Sequence, residues 1–307
     1  MKNSSTASAS WNRVELEQYL ALLLEQERRE REQTRTRLQA AQQTLALTPS
    51  VVADFAWLHI TDDHGRPIRP AAHHWLWLHL MCNDDIKKLL IIAPPESAKT
   101  TWVLAYVATH VAFYPEWPRI LAAVSGEVAA KRSQSLRLMA ESADFQATFP
   151  DIKRAVGMKF TQEEWSVAPH GGLARPGRIH PTLFAVGVGG SIIGSRARLL
   201  IADDILDQDN TRTAHQRELV HTWFHSSFLS RRMARVGRAI VIGNAWHHDD
   251  TYARMKAAGD WVVCHIPLLH EGGGPDGATA VYANIYYPER YEGERLGTAV
   301  GKEVKRD

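Results

Sequence analysis

A short segment after an apolar run carries the residue types that phosphate binding requires. Residues 93–101 read APPESAKTT and match the pattern G-x-x-x-x-G-K-[ST], except that alanine stands at both glycine positions. In such a loop the backbone N–H groups and the N-terminus of the next helix attract anions. We expect Lys99 to reach the β- and γ-phosphates of a nucleotide and the Thr100 hydroxyl to ligate Mg²⁺. The predicted nucleotide-binding residues are Glu96, Ser97, Ala98, Lys99, Thr100 and Thr101.

The alanine at the second glycine position, Ala98, affects the backbone conformation that the loop can adopt. If Ala98 adopts the left-handed backbone that glycine has in this loop, it costs about 1–2 kcal/mol relative to glycine. Glu96 must also face away from a bound triphosphate, because like charges repel. The alternative interpretation of the segment is an ordinary strand, turn and helix with an exposed lysine.

A pair of carboxylates follows a second apolar run. Residues 199–202 are all apolar and lead directly into Asp203 and Asp204. A buried strand that ends in a carboxylate is how phosphate-loop enzymes hold Mg²⁺. We expect Asp203 to bind the metal, directly or through water, and Asp204 to orient or deprotonate the attacking water. The alternative is a helix N-cap at Asp204 or Asp207.

These two segments must be positioned by a sheet. Short apolar runs alternate with stretches of helical character at 100–113 and 127–141. Continuous apolar strands separated by helices predict a parallel sheet covered on both faces, with ligands at the carboxyl ends of its strands. The predicted strands are 89–93, 119–124, 199–202, 239–242 and 261–266.

The N-terminal region has a different character. Residues 1–10 are small and polar and predict a disordered tail, whereas 11–47 contain no Gly or Pro and predict a helix. Residues 28–37 include no apolar side chain, which predicts either a projecting, solvated helix or a basic arm that touches DNA or a partner. Before them lies an apolar stripe of Leu16, Tyr19, Leu20, Leu23 and Leu24.

Composition limits the class of protein. The 307 residues are 45% hydrophobic and 23% charged, which are ordinary globular values. Lys and Arg number 36 against 34 Asp and Glu, so nucleic-acid binding would need a local patch rather than bulk charge. Cys82 and Cys264 form no CxxC pair and predict neither a disulfide framework nor a thiolate zinc site. Since no membrane span or signal peptide is apparent, we expect a soluble, unsecreted protein.

Taken together, the motifs resemble the large terminase subunit of tailed bacteriophages, the motor ATPase that packages viral DNA. The resemblance runs from about residue 55 to about residue 291 and comprises five ordered motifs. Three departures from the family pattern are Pro95 in place of Arg, Arg198 in place of Asp, and Asn244-Ala245 in place of Thr-Arg. The motifs are the loop at 92–100, a strand and basic helix at 123–137, a glycine-rich approach to the acidic pair at 185–204, the GNAWHHDD segment at 243–250, and a closing pattern at 266–269 and 287–291.

The resemblance implies a fold, a domain division and partners. It implies an α/β phosphate-loop NTPase of the ASCE type, with a mainly parallel central sheet flanked by helices and a small helical lid subdomain. The implied division is an N-terminal tail and helix at 1–48, an ATPase core at 49–266, and a lid or linker segment at 267–307 that leads toward an absent nuclease domain. We therefore expect an isolated motor domain that uses ATP and Mg²⁺ and does not cleave DNA.

The implied biology is viral DNA packaging. The chain would drive double-stranded DNA into a procapsid as a homo-oligomeric ring on the portal protein, with a small terminase subunit selecting the DNA. It would work in the host cytoplasm, transiently on the procapsid portal, with no membrane partner.

The resemblance also assigns roles outside the loop. Arg137 maps to the position of a trans-acting arginine, with Arg132 as the second choice, and Asn244 would sense the γ-phosphate. His74 or His73 would donate to adenine. A basic run could contact DNA phosphates or a neighbouring subunit, or it could be a solvated loop: Arg231, Arg232, Arg235 and Arg238.

Other classes of function make different demands on the sequence. A zinc hydrolase could use His221 and His225, which have helical i, i+4 spacing, but the Glu of H-E-x-x-H is absent and so the catalytic base is missing. The cluster at 247–250, HHDD, is denser, but adjacent residues rarely converge on one ion. A helicase-like, DNA-dependent ATPase would share the core motifs and would separate strands. A nucleotide-binding scaffold with a degenerate loop would bind ATP without hydrolysing it.

Overall fold

The computed structural model describes residues 12–266, which form a central sheet between two layers of helices. The strands are β1 Lys88–Ile92, β2 Arg119–Ala123, β3 Lys153–Arg154, β4 Glu164–Trp165, β5 Val167–Ala168, β6 Leu183–Gly187, β7 Leu199–Asp203, β8 Arg238–Gly243 and β9 Val262–His265. The helices are α1 Arg13–Gln43, α2 Pro49–His59, α3 Ala72–Cys82, α4 Lys99–Phe113, α5 Gly126–Glu141, α6 Ala143–Thr148, α7 Gln208–Thr211, α8 Ala214–Thr222 and α9 Thr251–Ala258. A π-helix follows α8 at Trp223–Phe228.

The main sheet has seven strands in the order β4-β6-β2-β7-β8-β1-β9. All neighbours pair in parallel except β4, which runs antiparallel to β6. Strand β8 therefore lies between β1, which precedes the predicted phosphate loop, and β7, which ends at the acidic pair. Because parallel strands present their carboxyl ends at one edge, the residues after β1, β7 and β8 meet there.

Both faces of the sheet are covered, as the continuous apolar runs predict. Along β1, Leu89 and Ile91 pack in one apolar cluster with helices α2 to α6, whereas Leu90 and Ile92 pack in a second cluster with the π-helix and α9. Successive side chains of a strand point to opposite faces, so a strand buried on both sides must be apolar throughout.

The predicted strands are confirmed, with ends that shift by one or two residues. The sequence interpretation missed β6, which lies within the glycine-rich approach to the acidic pair. Gly187 ends this strand, and a Cβ there would lie 2.2 Å from the Gly126 backbone nitrogen. Glycine at this position lets β6 pass close to the start of α5, and the glycines that follow obscure the strand in the sequence.

In the N-terminal helix, the apolar half is exposed and the polar half packs against the rest of the protein, which is the reverse of what the sequence predicts. In α1 the apolar stripe is exposed, with Leu20 and Leu24 at 48% and 67% relative exposure. The polar half packs instead: Thr34 and Leu38 are buried, and Arg31 pairs with Asp144 on α6 at 2.8 Å. The expectation that 28–37 project into solvent is therefore wrong for part of this stretch, because its arginines form ion pairs with the helices beneath.

The basic run before β8 is only partly available to a ligand. Arg238 is 6% exposed, donates to the Met81 carbonyl and lies 3.1 Å from an Asp84 carboxylate oxygen. A contact between Arg238 and DNA is thus excluded, since its guanidinium caps the end of α3 instead. Among residues 12–266, no helix combines the length and apolar character that crossing a bilayer demands.

Candidate nucleotide-binding site

The loop between β1 and α4 has the backbone that phosphate binding needs. Ala98 adopts the left-handed conformation, with φ 58° and ψ 28°. Helix α4 begins at Lys99 and has no side-chain cap, whereas Ser125 caps α5 and Asp250 caps α9. The first N–H groups of α4 are therefore not satisfied by a capping side chain, and such a terminus favours an anion.

Replacing Ala98 by glycine should stabilise the protein by about 1 kcal/mol, because alanine is strained in the left-handed region and glycine is not. Urea unfolding of wild type and Ala98→Gly measures the change. As a control, Ala40 is an exposed residue inside helix α1, where the same substitution should destabilise by about 1 kcal/mol. Equal destabilisation by both substitutions would show that the loop does not hold Ala98 in that conformation.

Lys99 is held inside the loop and contacts the residue that follows β8. It is 5% exposed, and its Nζ donates to the Pro94 carbonyl and to Asn244 Oδ1, both at 2.8 Å. Burial lowers the pKa of Lys99, and the nearby carboxylates of Asp204 and Asp203 oppose that shift. The predicted phosphate ligand and the predicted γ-phosphate sensor thus share a direct hydrogen bond.

The acidic pair lies beside the loop. The Thr100 hydroxyl donates to Asp203 Oδ1 at 3.2 Å, which joins α4 to the end of β7. Asp203 is fully buried, and burial raises its pKa to about 6, opposed by the guanidinium of Arg132. The two metal ligands that the sequence predicts, Thr100 and Asp203, are in contact.

Asp204 takes a conformation that few residues adopt. Its φ is +46°, and its N–H donates to the Ile242 carbonyl of β8 at 2.9 Å. Aspartate tolerates the left-handed region better than most residues, and such strain is concentrated at functional sites. Burial raises the pKa of Asp204, while Lys99 lowers it. A carboxylate whose pKa is raised in this way suits the role of a proton acceptor.

The donors at this site fit Mg²⁺ held together with a nucleotide. Among residues 12–266, no hydrogen bond reaches two of the buried carboxylate oxygens, Asp204 Oδ1 and Asp203 Oδ2, although the second is ion-paired with Arg132 at 3.1 Å. The Thr100 hydroxyl contacts the other oxygen of Asp203, Oδ1. Mg²⁺ prefers oxygen ligands and usually binds to one or two carboxylates plus substrate phosphates. Within residues 12–266 no group of three or more His, Cys, Asp or Glu side chains is arranged to hold a metal by itself.

The raised pKa of Asp203 predicts a pH dependence of stability in the metal-free protein. A carboxyl whose pKa is about 6 in the folded chain and 3.8 in the unfolded chain stays protonated up to a higher pH when the chain is folded. Its contribution to stability is therefore present below about pH 4 and is lost as pH rises through about 6, by about 3 kcal/mol. Unfolding of wild type and Asp203→Asn in EDTA, compared from acid to neutral pH, tests this. Parallel stability curves for the two proteins would contradict it.

The two candidate arginines of α5 differ in their surroundings. Arg132 Nη1 lies 3.1 Å from Asp203 Oδ2, so this residue belongs to the acidic site. Arg137 instead donates to the Phe160 carbonyl at 3.3 Å, with its guanidinium over the Phe160 ring. The structure thus brings the second-choice arginine to the carboxylates and places Arg137 elsewhere. The role of Arg137 as a trans-acting arginine stays a prediction.

The histidines before β1 bind to the loop. His74 Nδ1 accepts from the Ala71 N–H at 2.9 Å, so its Nε2 carries the proton and donates to the Ser97 carbonyl at 3.0 Å. His73 Nε2 lies 3.4 Å from the same carbonyl. Burial lowers the pKa of His74 to about 3, so the ring is neutral. Both nitrogens of His74 are thus engaged within the protein, and its predicted donation to adenine would require one of these bonds to break.

A cavity of about 410 Å³ adjoins this side of the loop. Its walls include His74, Trp102 and four of the predicted nucleotide-binding residues of the loop, Glu96, Ser97, Ala98 and Thr101. Aromatic walls next to a phosphate-binding loop are suited to stack a nucleobase. Lys99, Thr100 and Asp203 are not among the residues that line this cavity, and Thr100 contacts Asp203. The predicted cofactor residues therefore divide between the wall of the cavity and the acidic site.

Sequence reasoning missed Tyr252, which fixes the backbone beyond the acidic pair. Its hydroxyl accepts from the Ile205 N–H at 3.2 Å. A Cβ at Gly243 would lie 2.5 Å from the same hydroxyl, so glycine is required before Asn244 for the tyrosine to fit. The glycine in the GNAWHHDD segment is the signal that could have pointed to this close packing.

The sheet order, the loop and the acidic pair define a phosphate-loop NTPase fold. No family model and no curated protein matches the chain. Solved structures do match: the HK97 bacteriophage large terminase superposes with a TM-score of 0.50 at 14% identity, covering 84% of this chain and 52% of that one. The predicted resemblance is thus confirmed at the level of the fold, and the chain spans about half the length of that terminase.

A second solved structure shares part of the fold. Yeast (S. cerevisiae) Dbp5 superposes with a TM-score of 0.40 at 10% identity, covering 66% of this chain and 49% of that one.

Proposed function

We propose that this chain is the ATP-hydrolysing motor domain of a viral DNA-packaging terminase, which moves double-stranded DNA into a procapsid. The observation that carries the proposal is that the ends of β1, β7 and β8 meet at one site. After β1, Lys99 donates a hydrogen bond to Asn244, which follows β8, and Thr100 donates one to Asp203 at the end of β7. The similarity of the fold to that of the HK97 large terminase supports the choice of a terminase motor.

The residues divide the work of hydrolysis. Mg²⁺, held by Thr100 and Asp203, would neutralise charge on the phosphates. The N–H groups at the start of α4 bind phosphate oxygens, and Lys99 supplies positive charge as the γ-phosphoryl group leaves. Asp204 accepts a proton from the water whose oxygen bonds to the γ-phosphorus as the bond to the bridging oxygen breaks.

Asn244 provides a route from chemistry to movement. It accepts a hydrogen bond from Lys99, and it follows β8 directly. When the phosphate charge near Lys99 changes, the strength of the hydrogen bond between Lys99 and Asn244 changes with it. Asn244 in turn leads from β8 into the segment at 245–250. Loss of γ-phosphate is thereby transmitted to the end of the sheet.

The partners follow from the proposed role. Double-stranded DNA is the substrate, the portal protein is the docking site, and a small terminase subunit selects the DNA. The working form is a homo-oligomeric ring in the host cytoplasm, transiently on the procapsid, in which an arginine of a neighbouring subunit completes the site.

A packaging motor moves along duplex DNA without separating the strands, which distinguishes it from a helicase-like ATPase and from a nucleotide-binding scaffold. Triplex displacement on blunt duplex DNA, run with ATP and Mg²⁺, reports movement along a duplex, and release of a labelled strand from a forked duplex reports unwinding. Under the proposal, ATP drives triplex displacement but not unwinding. Unwinding would favour the helicase-like ATPase, and ATP binding with neither activity nor hydrolysis would favour the scaffold.

A further inference from the structure

The buried carboxylate assigned to Mg²⁺ already has a cation of the chain beside it. Arg132 Nη1 lies 3.1 Å from Asp203 Oδ2 and also donates to the Asp203 carbonyl. The Asp203 side chain is fully buried, and that of Arg132 is 16% exposed. Such an ion pair is screened little by solvent, so the guanidinium acts strongly on the carboxylate.

The charges around the acidic pair balance. Two carboxylates, Asp203 and Asp204, are acted on by two cations, Lys99 and Arg132. The site therefore has little net charge to attract a divalent ion. Without Arg132 it would carry a net negative charge in a buried place, which both destabilises the fold and attracts Mg²⁺.

We propose that Arg132 is the resident counter-cation of Asp203 and that it lowers the affinity of the site for Mg²⁺ that arrives without nucleotide. A bound triphosphate changes the charge balance of the site, because its negative charge interacts with Lys99 and with the N-terminus of α4. Binding of Mg²⁺ beside the acidic pair then becomes favourable. The site then selects the magnesium–nucleotide complex over the free ion. This inference rests on the proposed nucleotide site, and it gives Arg132 a positioning role within its own subunit.

Helix α5 supplies a matched control for the arginine. Arg137 lies on the same helix and is also partly buried, but it contacts the ring and carbonyl of Phe160 and no carboxylate. Since Arg137 has no carboxylate partner among residues 12–266, replacing it removes an arginine and its packing without changing the charge at Asp203. A purely structural role for Arg132 predicts the same response from both positions.

The test measures thermal unfolding without nucleotide across a Mg²⁺ titration, with NaCl at matched ionic strength. We expect the Mg²⁺ concentration needed for a given rise in Tm to be about tenfold lower in Arg132→Gln than in wild type, as for a 1.4 kcal/mol change in binding. Arg132→Lys, which keeps the charge, and Arg137→Gln should both respond as wild type does. A response of Arg132→Gln equal to that of Arg137→Gln, or no response in any protein, would overturn the proposal.

A double variant covers the case in which Arg132→Gln does not fold. Arg132→Gln with Asp203→Asn removes both charges, so it should fold and show no Mg²⁺ response. Failure of the double variant to fold would overturn the proposal, since the guanidinium would then be needed for packing. Because no nucleotide is present, a Mg²⁺ shift confined to Arg132→Gln would support the counter-cation even if ATP binding failed and the proposed function were wrong.

Discussion

Replacing Lys99 by alanine is expected to abolish measurable ATP hydrolysis, with a loss of about 10²–10³-fold or more. Lys99 is the cation of the loop, and the variant also loses the bond to Asn244 that links the loop to β8. Both phosphate binding and signalling to β8 therefore fail together. Calorimetric titration with ATP and Mg²⁺, followed by a phosphate-release assay, measures the two effects.

A lysine remote from the loop provides the control for this variant. Lys159 is 71% exposed and pairs with Glu164 at the surface, so Lys159→Ala should bind and hydrolyse ATP as wild type does. Thermal unfolding confirms that each variant is folded. Unchanged hydrolysis by a folded Lys99→Ala protein would show that residues 93–101 are not the nucleotide site.

Replacing Asp204 by asparagine is expected to separate binding from chemistry. Asparagine tolerates the left-handed backbone that Asp204 adopts and keeps its size, but it cannot accept the proton from water. Hydrolysis should fall by about 10²–10⁴-fold, while ATP affinity stays close to that of wild type. Single-turnover hydrolysis and equilibrium binding of a fluorescent ATP analogue give the two quantities.

The matched control is Asp209, an exposed acid in the first turn of α7. Asp209→Asn should leave both quantities unchanged. If Asp204→Asn instead loses ATP binding and hydrolyses the bound fraction at the normal rate, Asp204 holds the nucleotide and another group accepts the proton.

Local patterns in the sequence predict the part of the site that lies within single segments. The loop at 93–101 and the pair Asp203-Asp204 each follow an apolar run, and the burial of parallel strands on both faces makes such runs easy to recognise. The parallel sheet then brings these segments to one edge. The left-handed conformation of Ala98, which the sequence raises only as a condition, is present in the structure.

Contacts between distant segments have no comparable pattern. Arg132 and Asp203 are 71 positions apart, and nothing in the spacing of α5 distinguishes Arg132 from Arg137. The hydrogen bond of His74 to Ser97 likewise depends on how α3 docks against the loop. The exposed stripe of α1 shows the same limit, because helical periodicity identifies an apolar face but not whether another element covers it.

The most direct test of the account is Mg²⁺-dependent ATP hydrolysis per subunit, measured over a range of protein concentrations with Lys99→Ala alongside. A motor site completed by the arginine of a neighbouring subunit predicts a rate per subunit that rises with concentration and vanishes in the variant. Tight ATP binding with no hydrolysis at any concentration would contradict the account, and the strained, glycine-free loop would then mark a binding protein rather than a motor.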